Sequence, residues 1–430
     1  MGFMSWLGGG PKKSPEVMEA ERILQPDEIT KLQQEFAAVG HKRSVLPPKD
    51  AGVLLGLSDP PNTVLRDILL QGICNEVPGE GITVGDYLVA KAKVRASDSA
   101  VREYFFEILA GPQSQSLPIK QLAAALQGSL AYVVGTADDA DTALAESLAS
   151  SACRSDGHIS LRDWMNFTKQ VLLIPSVLRS VLCNGSHEDL RLPKLDPCGV
   201  DPAFLESSRC QLSKSWAAVL SSGFPAKQRD KWELLFHSDK NGKSFNTFLA
   251  TVAGKGSTIV FVSDKAGNVF GGFATQPWAK AGTFTGDFGC FVFSKLPKAA
   301  IYRASGVNEN FLWCGQGFNA LPNGFGFGGQ TGYYAVYVDD TMDKGMTRAA
   351  ATYNNPAFAK EQVFEVDAVE CWLVEPSEEE LEQRERTGTA MDRFKETNNY
   401  LKIAGATADY SQAYRADAPK EEEDNTSKFR

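Results

Sequence analysis

Residues 257–274 read STIVFVSDKAGNVFGGFA. Two runs rich in β-branched and aromatic residues flank the segment DKAGN at 264–268, whose Gly and Asn suit a tight reversal. The stretch therefore predicts two antiparallel strands joined as a hairpin. Ile259, Val260, Phe261 and Val262 are all apolar. Successive strand side chains point to opposite faces, so a run without alternation predicts a strand covered on both, as in a sandwich. Runs of the same kind follow in GCFVFS (289–294), YYAVYVDD (333–340) and VECWLVE (369–375), which makes 257–375 a strand-rich region. In front of it, residues 203–220 predict a leading helix.

The first half has a different period. Residues 14 to about 190 predict helices separated by Gly/Pro breaks, as in Val101–Ala110 (VREYFFEILA), where Tyr104, Phe105, Ile108 and Leu109 recur at helical spacing. An aliphatic residue followed four places later by a polar one opens a helix at Leu46/Asp50, Ile82/Asp86, Leu117/Gln121 and Ile159/Asp163. That repeat resembles the EF-hand, whose 12-residue loop buries an aliphatic at position 8 and ends on a ligand at position 12. The clearest copy is SDGHISLRD (155–163). Setting Gly157 at loop position 6 puts Ala152, Arg154 and Asp156 at positions 1, 3 and 5, and Asp163 at 12. The copy ending at Asp86 has Asn75, Val77 and Gly79 at its early positions. A calcium loop needs oxygen donors there, so the expectation is an EF-hand-like helical scaffold without its metal.

In the second half, WELLF (232–236), GKSF (242–245), VFGGF (269–273), FVF (291–293), NGFGFGG (323–329), TYNN (352–355) and VECWLV (369–374) follow one another. In this order they resemble a TLDc domain from end to end. The positions that carry the likeness are Trp232, Gly242, Ser244, Phe245, Gly271, Gly272, Phe273, Gly324, Gly326, Gly329 and Trp372. With helical EF-hand-like repeats before it and Gly2 at the start, the chain is similar to the animal TLDc proteins linked to lysosomes and mTOR signalling, and to their plant and algal relatives. The resemblance implies an α+β fold with a β-sandwich core and flanking helices. It also implies a non-enzymatic adaptor in the cytoplasm, peripheral on the lysosomal or vacuolar membrane, with the catalytic sector of the vacuolar-type proton ATPase as partner. The family's association with oxidative-stress resistance implies the alternative, redox chemistry at a cysteine.

Signatures of chemistry are contradicted by their surroundings. Gly324, Gly326 and Gly329 spell G-x-G-x-x-G, but a dinucleotide site needs a helix next, and a strand follows. Asp287-Phe288-Gly289 precedes the glycines instead of following them, with no H-R-D in the chain, which excludes a kinase. Gly242-Lys243-Ser244 ends like a P-loop whose first glycine is replaced by His237. The four histidines are scattered, the eight cysteines never fall at C-x-x-C spacing, and no G-x-S-x-G occurs. Neither a catalytic residue, a metal site nor a cofactor is expected. A net charge of -9, from 44 basic and 53 acidic residues, argues against nucleic acid, whose phosphates require clustered cations.

The ends of the chain carry two further candidates. MGFMSWLGGG begins with Met1-Gly2, as N-myristoylation requires, but has Trp6 where that pattern wants Ser or Thr; Gly2 is the lipidation candidate, and Phe3, Met4, Trp6 and Leu7 could enter a membrane surface. No apolar run reaches bilayer length, the nearest, Val171–Cys183, being interrupted by Pro175 and Arg179. After Pro376 the sequence turns acidic. Ser377 and Glu380 form a capping box before EEELEQRER, with Arg384 one turn on, and Met391, Phe394 and Leu401 mark one side of a second helix. These six are the partner-binding candidates of a helical acidic tail. The expected division is a flexible N-terminus (1–13), a degenerate EF-hand-like region (14–200), a TLDc domain (203–375) and the tail (376–430).

Overall fold

The computed structural model describes residues 13–387 apart from 42, 75–80, 112–113, 137, 154–156 and 184–189. The chain divides into two compact units, Met1–Ser377 and Glu378–Arg430. Of the second, residues 378–387 are described and form one helix, where the capping-box spacing predicts it.

In the first unit, α1 (Pro15–Ile23) precedes four helix–strand–helix repeats. They are α2 (Pro26–Gly40), β1 (Val45–Leu46) and α3 (Pro48–Leu54); α4 (Thr63–Ile73), β2 (Ile82–Thr83) and α5 (Val84–Lys93); α6 (Asp98–Ala110), β3 (Ser116–Pro118) and α7 (Ile119–Val134); and α8 (Asp139–Ala152), β4 (His158–Ser160) and α9 (Leu161–Gln170). The short strands pair antiparallel, β1 with β2 and β3 with β4, placing Leu46 opposite Ile82 and Leu117 opposite Ile159. These are the four aliphatics of the sequence repeat, all buried. The carboxylates four residues on have other partners. Asp86 closes a capping box with Thr83, Asp163 accepts the Ser160 hydroxyl at 2.6 Å, and Asp50 pairs with Arg43 at 3.0 Å. The early loop positions Asn75, Val77, Gly79, Arg154 and Asp156 lie outside the described residues. α10 (Leu173–Leu182) completes the helical half.

The predicted helix over 203–220 is broken. A 3₁₀ turn covers Pro202–Glu206, residues 207–212 are non-helical, and α11 (Lys214–Ser221) starts afresh with Ser213 as its N-cap, the hydroxyl accepting from Trp216 N at 3.2 Å. The reason is that the amides of Gln211 and Leu212 are taken by Glu370, as detailed below.

The remaining elements build two sheets that share one long strand. β5 (Lys194–Asp196), β6 (Lys231–His237), β7 (Gly256–Asp264), β8 (Val269–Ala274), β9 (Phe291–Leu296) and β10 (Ala300–Arg303) join β15 (Val363–Pro376) in the first sheet; β11 (Leu312–Gly315), β12 (Gly324–Phe327), β13 (Val336–Asp339) and β14 (Lys344–Thr347) form the second on the beginning of the same strand. The order is β10-β9-β8-β7-β15-β14-β13-β12-β11, with β6 also on β15 and β5 parallel to β6. Two helices, α12 (Ser238–Asn241) and α13 (Phe245–Val252), follow β6. The predicted hairpin is β7–β8: Asn268 N and Nδ2 donate to the two Asp264 carboxylate oxygens at 2.8 and 2.7 Å across the turn.

Both faces of β7 are buried, as its unbroken apolar run requires, but by different layers. Val260 and Val262 enter the core between the sheets, with Phe248, Phe325 and Phe327. Ile259 and Phe261 enter a second core shared with the helical half, among Leu173, Leu178 and Trp216. The first unit is thus helices, sheet and sheet in three layers, and the sandwich supplies the cover for one face only. No helix among the described residues is long and apolar enough to cross a membrane.

Candidate functional site

The residues that carry the TLDc likeness are distributed through the two cores. Trp232 is fully buried and donates from Nε1 to Gln228 O at 2.7 Å; Phe273 packs at a tilt against Phe224 and Phe291 beside it. Phe245 and Phe248 pack on Phe325 across the sandwich. Ser244 caps α13, accepting from Thr247 N at 3.3 Å, and Gly242 ends α12. Gly272 permits close packing of the sheets, since a Cβ there would sit 2.7 Å from the Phe327 ring; a Cβ at Gly271 would come within 1.9 Å of the Val260 carbonyl oxygen. Gly324 and Gly326 lie on β12, and Gly329 follows in a turn whose amide donates to Thr352 Oγ1 at 2.9 Å. An antiparallel strand comes next, so the G-x-G-x-x-G spacing forms no phosphate cradle.

A buried polar cluster that sequence reasoning missed sits where the domain begins and ends. Glu370, on β15, is 1% exposed. Its Oε2 accepts from Gln211 N at 2.7 Å, and its Oε1 accepts from Leu212 N at 3.1 Å and from Trp372 Nε1 at 2.6 Å. Burial pushes its pKa up, and the three N–H donors pull it back only in part. His237 Nε2 lies 3.8 Å away and donates to Arg209 O, while Nδ1 accepts the Asp239 amide. Both ring nitrogens are therefore engaged, and burial holds the pKa below its usual value, which keeps the ring neutral. Lys295 Nζ donates to Gln211 O at 2.6 Å; burial lowers its pKa, against the attraction of Glu370. On the outside, Arg209 makes a two-point contact with Asp239 at 2.7 and 3.0 Å and reaches Asp367 at 2.8 Å. The segment 209–212 is thus fastened to the last strand by charge-assisted bonds. The available signal was a lone acid in the apolar run VECWLV, two residues from Trp372 and so on the same strand face.

Beside this cluster, a cleft of about 1040 Å³ opens between the helical half and the first sheet, walled by Leu144 and Ser147 of α8, Leu195, Leu205, Trp216 and Leu296, with Lys295 reaching its side. The cleft is bridged below by direct bonds. Ala299 N donates to Ser147 Oγ at 2.8 Å, the Ser215 hydroxyl donates to Asp141, and Trp216 packs on Phe293.

The thiols divide by burial. Cys74, Cys290, Cys314 and Cys371 are buried and Cys210 is half-buried, and desolvation raises the pKa of all five, Cys74 and Cys314 to about 11 and Cys210 to about 12. Such groups stay protonated and unreactive. Cys183 and Cys198 are exposed. Among the tail candidates, the Ser377 hydroxyl donates to Gly254 O at 2.6 Å, and Glu380 pairs with Arg384 at 2.7 Å. Met391, Phe394, Leu401 and Gly2 lie outside the described residues.

Residues 205–375 match the TLDc domain family, so the Glu370 cluster ties the first turns of the matched region to its last strand. The chain is 32% identical over 293 residues to the MTOR-associated protein MEAK7 of Danio rerio, covering 65% of this chain and 63% of that one. It is 35% identical over 190 residues to the protein of the same name from Homo sapiens, covering 43% and 41%. Oxidation resistance protein 1 of Mus musculus is 27% identical over 145 residues, 34% of this chain and 16% of that protein. The chain thus spans less than two thirds of the length of each of these relatives. The chain thus carries a TLDc domain at residues 205–375 and resembles the animal MEAK7 proteins.

Proposed function

We propose that this protein is a non-enzymatic TLDc adaptor that binds the cytosolic catalytic sector of the vacuolar-type proton ATPase at the lysosomal or vacuolar surface, in connection with mTOR signalling. The observation that carries the reading is that the residues marking the family are committed to packing and capping: Trp232, Phe245, Phe273 and Trp372 are buried, and Glu370 and His237 have their hydrogen-bonding atoms engaged inside the fold. What the domain offers a partner is its outer surface. The mTOR connection rests on the name of the MEAK7 relatives, and the pump on the TLDc resemblance. The division into an EF-hand-like region (14–200), a TLDc domain (203–375) and a tail (376–430) belongs to the same proposal, with domain and tail as two linked contacts, and Gly2 as the point of lipid attachment.

Linked contacts raise one another's effective concentration, so losing one weakens binding by orders of magnitude when both are engaged. Purified pump is mixed with the full chain, with a chain ending at Pro376 and with Phe394→Asp. Co-purification of the full chain and weaker retention of both variants supports two contacts; equal retention of all three places binding on the domain alone. A full chain that does not co-purify overturns the assignment.

A second reading, protection against oxidants through a cysteine, draws on the oxidation-resistance relatives. The five thiols raised by burial work against it, which leaves the exposed Cys183 and Cys198 and the partly exposed Cys153. Mass spectrometry after mild peroxide treatment separates the readings: rapid oxidation at any of these three thiols favours the second.

A further inference from the structure

Between α1, α5 and α6 runs a groove of about 490 Å³ floored by Ala20, Val89, Ala92, Ala96, Ala100 and Tyr104. Four of these six are alanines, which leave a trough where larger side chains would have filled the gap. Ile23, on the same wall, is 48% exposed. The rim is acidic: Glu16, Glu19 and Glu103 face it, whereas Lys93 is paired with Glu107 and Arg95 with Glu28. A trough of this kind suits an apolar segment followed by positive charge.

The chain carries such a segment next to the groove. The twelve residues before Lys13 read MGFMSWLGGGPK, in which Met1, Phe3, Met4, Trp6 and Leu7 are large and apolar. Three glycines then allow a reversal, and Lys12 and Lys13 follow in sequence, Lys13 pairing with Glu21 of α1 at 2.7 Å. Reach is ample: twelve residues span up to roughly 40 Å. The nine-residue α1, whose face forms one wall, is only about 14 Å long. A tether this short gives an effective concentration on the order of millimolar.

We propose that the groove between α1, α5 and α6 is the docking site of the chain's own N-terminal segment, residues 1–7, turned back over α1 at Gly8–Gly10. The proposal concerns a contact within the chain and does not depend on the pump or on lipid. Its consequence is competition: the side chains that fill the groove are those that would enter a membrane, so a docked segment is withheld from any surface.

Hydrogen exchange measured by mass spectrometry on the full chain tests it. Removing residues 2–10, or substituting Trp6→Ser together with Leu7→Ser, is expected to speed exchange of amides in 16–23 and 98–107 at least several-fold. In a chain whose trough is filled by Ala96→Leu and Ala100→Leu, the same removal is expected to change nothing, and each background is read against its own shortened form, so an altered fold cancels. Equal exchange with and without the segment in the unsubstituted chain overturns the proposal. Protection that fades on dilution also overturns it, because the occupant is then the segment of a second copy.

Discussion

Glu370 decides, at the scale of one side chain, how the TLDc domain closes. Its two oxygens accept from three N–H groups, one of them on its own strand and two on residues 211 and 212, nearly 160 positions earlier. Glu370→Gln keeps the size and turns one oxygen into an NH2. In either orientation that NH2 faces an N–H donor, because Oε1 and Oε2 are both acceptors here. Leaving a buried donor unsatisfied costs about 1–3 kcal/mol, so urea denaturation should show the midpoint falling by that equivalent. An unchanged midpoint would mean that the cluster does not hold the segment. The neighbouring His237 gives the pH dependence. Burial lowers its folded pKa below 6.5, so between the two values the unfolded chain binds a proton that the native chain does not. Its stabilisation is therefore present above about pH 6.5 and is lost as pH falls through the lowered folded value. His237→Gln should flatten the decline in denaturation midpoint between pH 7.5 and 5.5 relative to the parent chain. Parallel declines would show that another group carries the acid sensitivity.

Elements were more legible in the sequence than their covers. The aliphatic repeat marked four buried positions of the helical half, because a residue that must be buried at a fixed offset from a helix start leaves a periodic trace; that Leu46 pairs with Ile82 and Leu117 with Ile159 on short strands is what the structure adds. The β7–β8 hairpin was equally clear from DKAGN. The unalternating run in β7 indicated two buried faces but could not say that helices cover one of them, since Ile259 and Val260 are equally apolar whatever packs on them. The break at 207–213 was hidden for a related reason. Local propensity favoured helix, and the carboxylate that captures the Gln211 and Leu212 amides lies at the far end of the domain. The Glu370 cluster was illegible as a site because its members are brought together only by the fold. The repeats also carry a prediction. Asp86 and Asp163 bond to their own helix starts, while Ala152 occupies a ligand position at the end of α8. Calcium titrated into the full chain should give no heat attributable to a micromolar site, since most oxygen ligands are missing. A site of that strength would refute the loop alignment.

At the scale of the molecule, the helical half and the TLDc domain meet through a core and not through a linker. Trp216, Leu173 and Leu178 lie in one continuous cluster with Ile259, Phe261 and Phe293 of the sheet. Polar bonds reinforce the contact. Arg303 donates from its backbone amide to Gln170 Oε1 at 2.6 Å and from Nε to Gln170 O at 3.2 Å. The guanidinium therefore sits at the C-terminal end of α9, where the helix dipole is negative, and burial alone pushes its pKa down to about 10. Ser176 Oγ donates to Ser222 O at 2.9 Å nearby. Halves that share a core cannot lose it separately, because unfolding either one exposes the apolar face of the other. The expectation is a single cooperative transition for residues 13–377, in which far-ultraviolet circular dichroism, dominated by the helices, and fluorescence from the buried TLDc-domain tryptophans 232, 278, 313 and 372 move together on adding urea. Trp216→Ala removes the ring that packs on Phe293 and should lower both signals' midpoints by the same amount, equivalent to about 3–5 kcal/mol. If the helical signal is lost first while the sheet fluorescence persists, the shared core does not couple the halves, and the EF-hand-like repeats form an independent module.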